Sequence, residues 1–193
     1  MSKTETTAPL KKVAYNDAVA ESKKYFDGDE LAATVWVSKY ALKDSFGNIY
    51  ESSPRQMHER IAAEIERIER KYPNPMSKEE VFELLDHFRY VIPQGGPMTG
   101  IGNNLQVASL SNCFVIGHKH PADSYGGIFR IDEEQVQLMK RRGGVGHDLS
   151  HIRPTGSPVL NSALTSTGIV PFMERYSNST REVAQDGRRG ALM

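Results

Sequence analysis

Three consecutive stretches decide the fold: "VASLSNCFVIG" (residues 107–117), "DSYGGIFRIDEEQVQLMKR" (residues 123–141) and "GGVGHDLSHI" (residues 143–152). The first and third are typical of short strands. The second begins with an aspartate, Asp123, at the predicted capping position and continues with helical character. A loop and a further helix, predicted from about Pro171, come next. Strand, helix, strand, loop and helix in this order predict an α/β fold.

The N-terminal half predicts a different architecture. Residues 1–10 are polar and predict a disordered terminus, whereas residues 11–92 carry helical patterns without visible chemistry. Two capping boxes, Ser53–Gln56 and Ser77–Glu80, predict helix starts, the first with Pro54 at its first helical position. Apolar stripes behind both boxes predict core-facing helix surfaces. The stripes are Met57, Ile61, Ile65, Ile68 and Tyr72 for the first helix, and Val81, Leu84, Leu85, Phe88 and Val91 for the second.

Composition excludes several classes of protein. The 193 residues include 24 basic and 24 acidic side chains, so net charge indicates neither a general nucleic-acid binder nor a membrane partner. One cysteine excludes an internal disulfide framework and a cysteine-cluster metal site. The sequence shows no apolar run of membrane-spanning length and no apolar signal-peptide core near its start, which predicts a cytoplasmic location.

Three local motifs leave alternatives open. His147 and His151 are four residues apart, but the glycine- and proline-rich surroundings do not favour the helix that a zinc motif needs, so no metal site is predicted. "RRGGVG" (residues 141–146) could cradle phosphate through its backbone amides or could be a tight turn. Cys113 could be a small core residue or, beside polar neighbours, a reactive thiol at the edge of a site.

The order of the motifs is more specific than any one of them. The series "PMTG", "SLSNCFVI", "DSYGGIF", "KRRGGVGHDLSHIRPTGSPV" and "STGIVPFMERYSNSTREVAQDGRRGALM" runs from residue 97 to residue 193. It closely resembles the large catalytic subunit of ribonucleotide reductases. The resemblance implies that residues 11–92 are the helical N-terminal domain and that residues 93–193 are the first segment of a ten-stranded α/β barrel, incomplete in this chain. That family reduces ribonucleotides to deoxyribonucleotides by thiyl-radical chemistry.

The resemblance assigns residues to a substrate pocket. Cys113 corresponds to the first cysteine of the redox pair, which ends each turnover in a disulfide with a cysteine on a later strand. Asn112 and Gly144 correspond to positions that contact the substrate, and Thr99 lies in a segment lining the same pocket. Arg189, in "QDGRRG", corresponds to a substrate-facing arginine on the second specificity loop.

The resemblance also implies an allosteric site for a deoxynucleoside triphosphate effector at a dimer interface. Asp123, Ser124 and Tyr125 correspond to effector-binding positions at a helix start, where free amides favour anions. Arg153 corresponds to an arginine that contacts the effector phosphates. Some relatives carry another arginine at the position of Leu160.

The radical cysteine, the second redox cysteine and the phosphate-gripping segment of the family have no counterpart in this sequence. We therefore expect the chain to act with a C-terminal partner segment, a thioredoxin-like reductant and a second copy of the assembled subunit. Residues 26–44 and 185–193 resemble the adenosylcobalamin-dependent class more than the diiron class, which would instead use a radical-generating small subunit. A stand-alone deoxynucleotide-binding fragment and an inactive truncated remnant are the alternatives.

Overall fold

The computed structural model describes residues 10–118, 122–183 and 191–192. The chain divides into two compact units, Met1–Val107 and Ala108–Met193, whereas the sequence predicted a boundary at residue 93. Apart from Leu10, the predicted disordered terminus lies outside the described residues.

The first unit is helical, as predicted. Its helices are α1 (Tyr15–Tyr25), α2 (Glu30–Lys39), α3 (Pro54–Glu69), α4 (Lys78–Leu85) and α5 (Gly95–Gly100), with a 3₁₀ turn at Asp86–Phe88. Residues from α1 to α5 form one core, whose most enclosed members are Ala18, Ala33, Val37, Met57 and Ala62. The glycine-rich stretch at residues 93–104 contains the short helix α5.

Both predicted stripes reach the core only in part. Met57 and Ile61 are buried, but Tyr72 lies beyond the end of α3 and is exposed. Helix α4 ends at Leu85 because Asp86 adopts an extended ψ of 139°, so Val91 lies outside the helix. The prediction of two continuous core faces was therefore wrong at their C-terminal ends.

The two capping boxes have different outcomes. In the second, the Glu80 amide donates to Ser77 Oγ at 3.2 Å and the Ser77 amide donates to Glu80 Oε2 at 2.7 Å, which confirms the prediction. In the first, Ser53 makes no side-chain cap, and the Gln56 side chain instead accepts from the Ser52 amide at 2.7 Å. The prediction of this capping box was therefore wrong by one residue.

The second unit contains the α/β part. Strands β1 (Cys113–Ile116), β2 (Gly144–His147) and β3 (Ala191–Leu192) are parallel and adjacent in that order, and helices α6 (Tyr125–Lys140) and α7 (Val170–Val183) accompany them. Ala191 and Leu192 therefore form a strand of their own, paired with β2. In the described residues, a helical unit is followed by the start of a parallel sheet that does not close, which confirms the predicted fold class.

The sheet has two chemically different faces. Parallel partners project to the same side, and the register pairs Cys113 with Gly144 and Val115 with Gly146. Cys113 and Val115 are exposed, whereas the alternate residues of β2, Val145 and His147, are buried. The covered face packs on α6 and α7. The open face carries the only cysteine beside two glycines that have no side chains to cover the backbone.

Candidate functional site

A cavity of about 340 Å³ lies at the start of α6. All four residues predicted to bind the effector line it, namely Asp123, Ser124, Tyr125 and Arg153. Ile128, Phe172 and the loop from residue 159 to residue 167 complete its wall. The structure thus brings together residues as far apart in the sequence as Asp123 and Phe172.

The helix start in this cavity is suited to an anion. Ser124, rather than the predicted Asp123, is the N-cap residue, and its Oγ accepts the Gly127 amide at 3.0 Å. A side chain at Gly126, in the first turn, would meet nothing within 4 Å, so the described chain leaves space beside this turn. Amides at a helix N-terminus carry partial positive charge and bind phosphate groups well.

Asp123 and Arg153 form an ion pair in the cavity wall. Arg153 Nε donates to Asp123 Oδ2 at 2.6 Å, and the Arg153 amide donates to Asp123 Oδ1 at 3.2 Å. Partial burial raises the pKa of Asp123, but the hydrogen bonds and positive charge of Arg153 outweigh burial and hold that pKa below its usual value. Asp123 is therefore an anion that fixes the direction of the guanidinium, rather than a direct partner for phosphate.

The sequence predicted a loop after β2 but not that this loop closes the cavity. Arg153 Nη1 donates to the Pro158 carbonyl at 2.8 Å, and Pro158 forms an antiparallel bridge with Thr165. The bridge brings the polar run Thr165–Thr167 and the apolar Val159 into the wall, and Leu160 lies there fully exposed. The run of hydroxyl residues "TST" (residues 165–167) was the one sequence signal available, and without the bridge its position could not be known.

The residues predicted for the substrate pocket are brought together only in part. Cys113 is exposed and is the register partner of Gly144, whose amide donates to the Asn112 carbonyl at 2.6 Å. Thr99 belongs to the first unit, where its buried hydroxyl donates to the Gly95 carbonyl at 2.9 Å. Arg189 lies outside the described residues. One edge of the sheet therefore presents Asn112, Cys113 and Gly144 as a cluster.

The structure places the two histidines of the pair in different positions. His147 is buried in β2, whereas His151 is exposed in the following turn, so the two rings have different environments. Among the residues that the structure describes, no group of three histidine, cysteine or acidic side chains could hold a metal ion.

Two buried histidines make the stability of the fold depend on pH. Burial lowers the pKa of His58 and of His147 from 6.5 to about 4. The unfolded chain therefore binds more protons than the native chain between these pH values, and the free energy of unfolding must fall as pH falls from 6.5 to 4. Each histidine contributes a slope of up to about 1.4 kcal/mol per pH unit.

Urea unfolding of His147→Phe between pH 4 and 7 measures this effect. We expect a smaller pH slope than in the parent chain, and His151→Gln, which changes an exposed ring, serves as the matched control. An unchanged slope in His147→Phe would show that the buried ring does not resist protonation.

The described part of the chain contains no helix long and apolar enough to cross a membrane.

The fold and the cavity define a class: a helical unit followed by a parallel α/β unit with an anion-adapted helix start and an exposed strand thiol. Comparison with known families is more specific. Residues 26–96 match the family "Ribonucleotide reductase, all-alpha domain", and residues 111–193 match "Ribonucleotide reductase, barrel domain". The chain thus carries the all-alpha domain and part of the barrel domain of the ribonucleotide reductase large subunit.

Individual relatives agree with the family match. The chain is similar to the ribonucleoside-diphosphate reductase large chain 2 of Saccharomyces cerevisiae, 36% identical over 80 residues, which are 42% of this chain and 9% of the relative. It is 31% identical over 117 residues to the large chain of Cryptosporidium parvum, covering 58% of this chain and 14% of the relative. It is 38% identical over 85 residues to the ribonucleoside-diphosphate reductase large subunit of Arabidopsis thaliana, covering 43% of this chain and 10% of the relative.

Proposed function

We propose that this chain supplies the effector-binding region and one redox cysteine of a ribonucleotide reductase that acts in the cytoplasm and converts ribonucleotides to deoxyribonucleotides. The observation that carries the proposal is the cavity at the start of α6, which gathers Asp123, Ser124, Tyr125 and Arg153. Helix amides together with an oriented guanidinium match the needs of a triphosphate.

Cys113 would act on the open face of the sheet. Two thiols joining into a disulfide release two protons and two electrons, which is the balance needed to replace a carbon–oxygen bond by a carbon–hydrogen bond with loss of water. Cys113 would supply one of the thiols, and a cysteine on a strand outside this chain would supply the other. A thioredoxin-like dithiol would then reset the disulfide by exchange. The exposure of Cys113 supports this role because exchange requires access to the sulfur.

The assembled enzyme requires more protein than this chain. The aligned segments correspond to only 9%, 14% and 10% of the three relatives' lengths. We propose that a C-terminal segment completes the barrel around Cys113 and Gly144, and that two assembled subunits meet beside the effector cavity. Arg189 and Thr99 would contact the ribonucleotide in that assembly.

We also propose that the assembled enzyme obtains its radical from adenosylcobalamin, held by residues outside this chain. The resemblance of residues 26–44 and 185–193 to that class supports the proposal. Turnover with added adenosylcobalamin and no small subunit is the expected result. Turnover that depends on a diiron small subunit would assign the alternative class.

A second candidate function follows from the position of the cavity. Every residue that lines it belongs to the second unit of this chain, so a deoxynucleotide could bind without a partner segment. The chain would then be a stand-alone deoxynucleotide sensor. Failure of any complementing barrel segment to restore reductase activity, with effector binding retained, would favour the sensor.

Arg153→Ala tests the effector assignment. The substitution removes the only arginine among the residues lining the described cavity, and hydrogen bonds to charged groups contribute about 1.5–3 kcal/mol. We expect deoxynucleoside triphosphate binding to weaken about 10- to 150-fold, with a smaller loss for substrate. Asp123→Ala should also weaken effector binding more than substrate binding, because it frees the guanidinium to rotate away.

Arg130→Ala is the matched control, since Arg130 is an exposed arginine on α6 that pairs with Glu134 outside the cavity. Equilibrium titration should show unchanged effector affinity in this variant. Equal losses at the effector and substrate sites in Arg153→Ala would mean that the effector pocket lies elsewhere.

A further inference from the structure

One fully buried side chain connects the effector cavity with the strand that carries Gly144. The Tyr176 hydroxyl, on α7, donates to the Ile128 carbonyl on α6 at 3.3 Å. The Tyr176 ring stacks on His147 of β2, with ring centroids 4.3 Å apart and planes 16° from parallel. Tyr176 therefore contacts α6 through its hydroxyl and β2 through its ring.

Both helices that hold Tyr176 in place also line the cavity. Ile128 lies in the cavity wall, and Phe172 lies there one helical turn before Tyr176 on α7. Gln135 of α6 fixes α7 further, because its Nε2 donates to the Tyr176 carbonyl at 2.8 Å and to Thr180 Oγ1 at 2.7 Å. A ligand that moves the first turn of α6 must therefore move Tyr176 or break these hydrogen bonds.

The ring of His147, which contacts Tyr176 from β2, is not held by hydrogen bonds among the described residues. His147 is 8% exposed, and within the described residues neither of its ring nitrogens has a hydrogen-bond partner. Buried polar atoms without partners destabilise the arrangement that contains them. Stacking on Tyr176 is thus the main specific contact of this ring, and a shift of Tyr176 acts on β2 through it.

We infer that Tyr176 is a positioning residue that transmits occupancy of the cavity to β2 and so to Gly144 and its register partner Cys113. This inference rests on the proposed function, because it takes a deoxynucleoside triphosphate as the occupant of the cavity. The contacts run from Ile128 to Tyr176 and from Tyr176 to His147, which lies on the same strand as Gly144.

Hydrogen exchange of the full chain tests the inference, with dTTP as the probe. We expect saturating dTTP to slow exchange of the amides of residues 144–148 about fivefold or more, the lower range of coupling between sites. Tyr176→Phe keeps the ring and removes only the hydroxyl, and we expect the slowing to fall below about twofold while dTTP affinity stays within about threefold. His147→Leu fills the same space without an aromatic stack and should have the same effect.

Tyr72→Phe is the matched control, because Tyr72 is an exposed tyrosine in the first unit. Its exchange response to dTTP should equal that of the parent chain. Urea unfolding of each variant separates a loss of coupling from a loss of stability. A full response to dTTP in Tyr176→Phe and His147→Leu would overturn the inference and leave the proposed function intact. Binding of dTTP by the parent chain without slower exchange at residues 144–148 would overturn the inference alone, whereas absence of dTTP binding by the assembled reductase would overturn the proposed effector site together with it.

Discussion

Cys113→Ser in the assembled reductase is expected to abolish multiple turnover with a dithiol reductant. Cys113 is the only cysteine of the chain, it is exposed at the start of β1, and it faces Gly144 on the open face of the sheet. Serine is nearly isosteric, so the strand should be retained, but a hydroxyl cannot form a disulfide or be reset by thiol exchange. Product formed per enzyme, measured over many substrate equivalents, should not exceed a single turnover.

A second thiol-free variant and a binding measurement control this experiment. Cys113→Ala should give the same loss, whereas effector affinity should be unchanged in both variants because Cys113 does not line the effector cavity. Full steady-state activity of Cys113→Ser would exclude the redox role of this residue. The remaining interpretation would be that Cys113 is a small core residue, and the exposure of Cys113 argues against it.

The sequence predicted those features whose causes are local. The Ser77–Glu80 capping box formed as expected because both partners lie within one helical turn. Strands β1 and β2 were predicted from strand-like stretches on either side of a helix, and that helix allows a parallel connection. Cys113 and Gly144 were assigned to one site by resemblance, and the register gives a physical reason for it, since partner residues of parallel strands share a face.

The features that were missed depend on contacts between distant residues. The cavity wall needs the bridge between Pro158 and Thr165, and no pattern within that loop specifies which residues will pair. The predicted box at Ser53 did not form, and the Gln56 side chain accepts the Ser52 amide instead of the Ser53 amide. The sequence does not determine which of these two neighbouring amides is the donor. The burial of His147 depends on which face of β2 is covered by α6 and α7. Sequence periodicity in a four-residue strand does not determine that face.

Glu51→Ala is expected to destabilise the first unit more than any other single substitution considered for that unit. Arg60 Nε donates to Glu51 Oε1 at 2.7 Å, and the two side chains are only 11% and 5% exposed. Glu51 also accepts the Leu42 amide at 2.8 Å, and Arg60 donates to the carbonyls of Met98 and Ile101. The pair therefore fixes the segment that contains α5.

Removing Glu51 leaves the Arg60 guanidinium buried without an opposite charge, and breaking a buried ion pair in this way costs about 3–5 kcal/mol. Chemical denaturation should show the free energy of unfolding falling by that amount. Glu64→Ala is the matched control, because it breaks an exposed pair with Arg67 on the same helix and should cost about 0–1 kcal/mol. The double variant Glu51→Leu with Arg60→Met should recover most of the loss, since it removes both buried charges and keeps apolar volume. Equal losses for Glu51→Ala and Glu64→Ala would show that the Arg60 charge is solvated in solution, and the Glu51–Arg60 pair would then not be what holds α5 to the helical core.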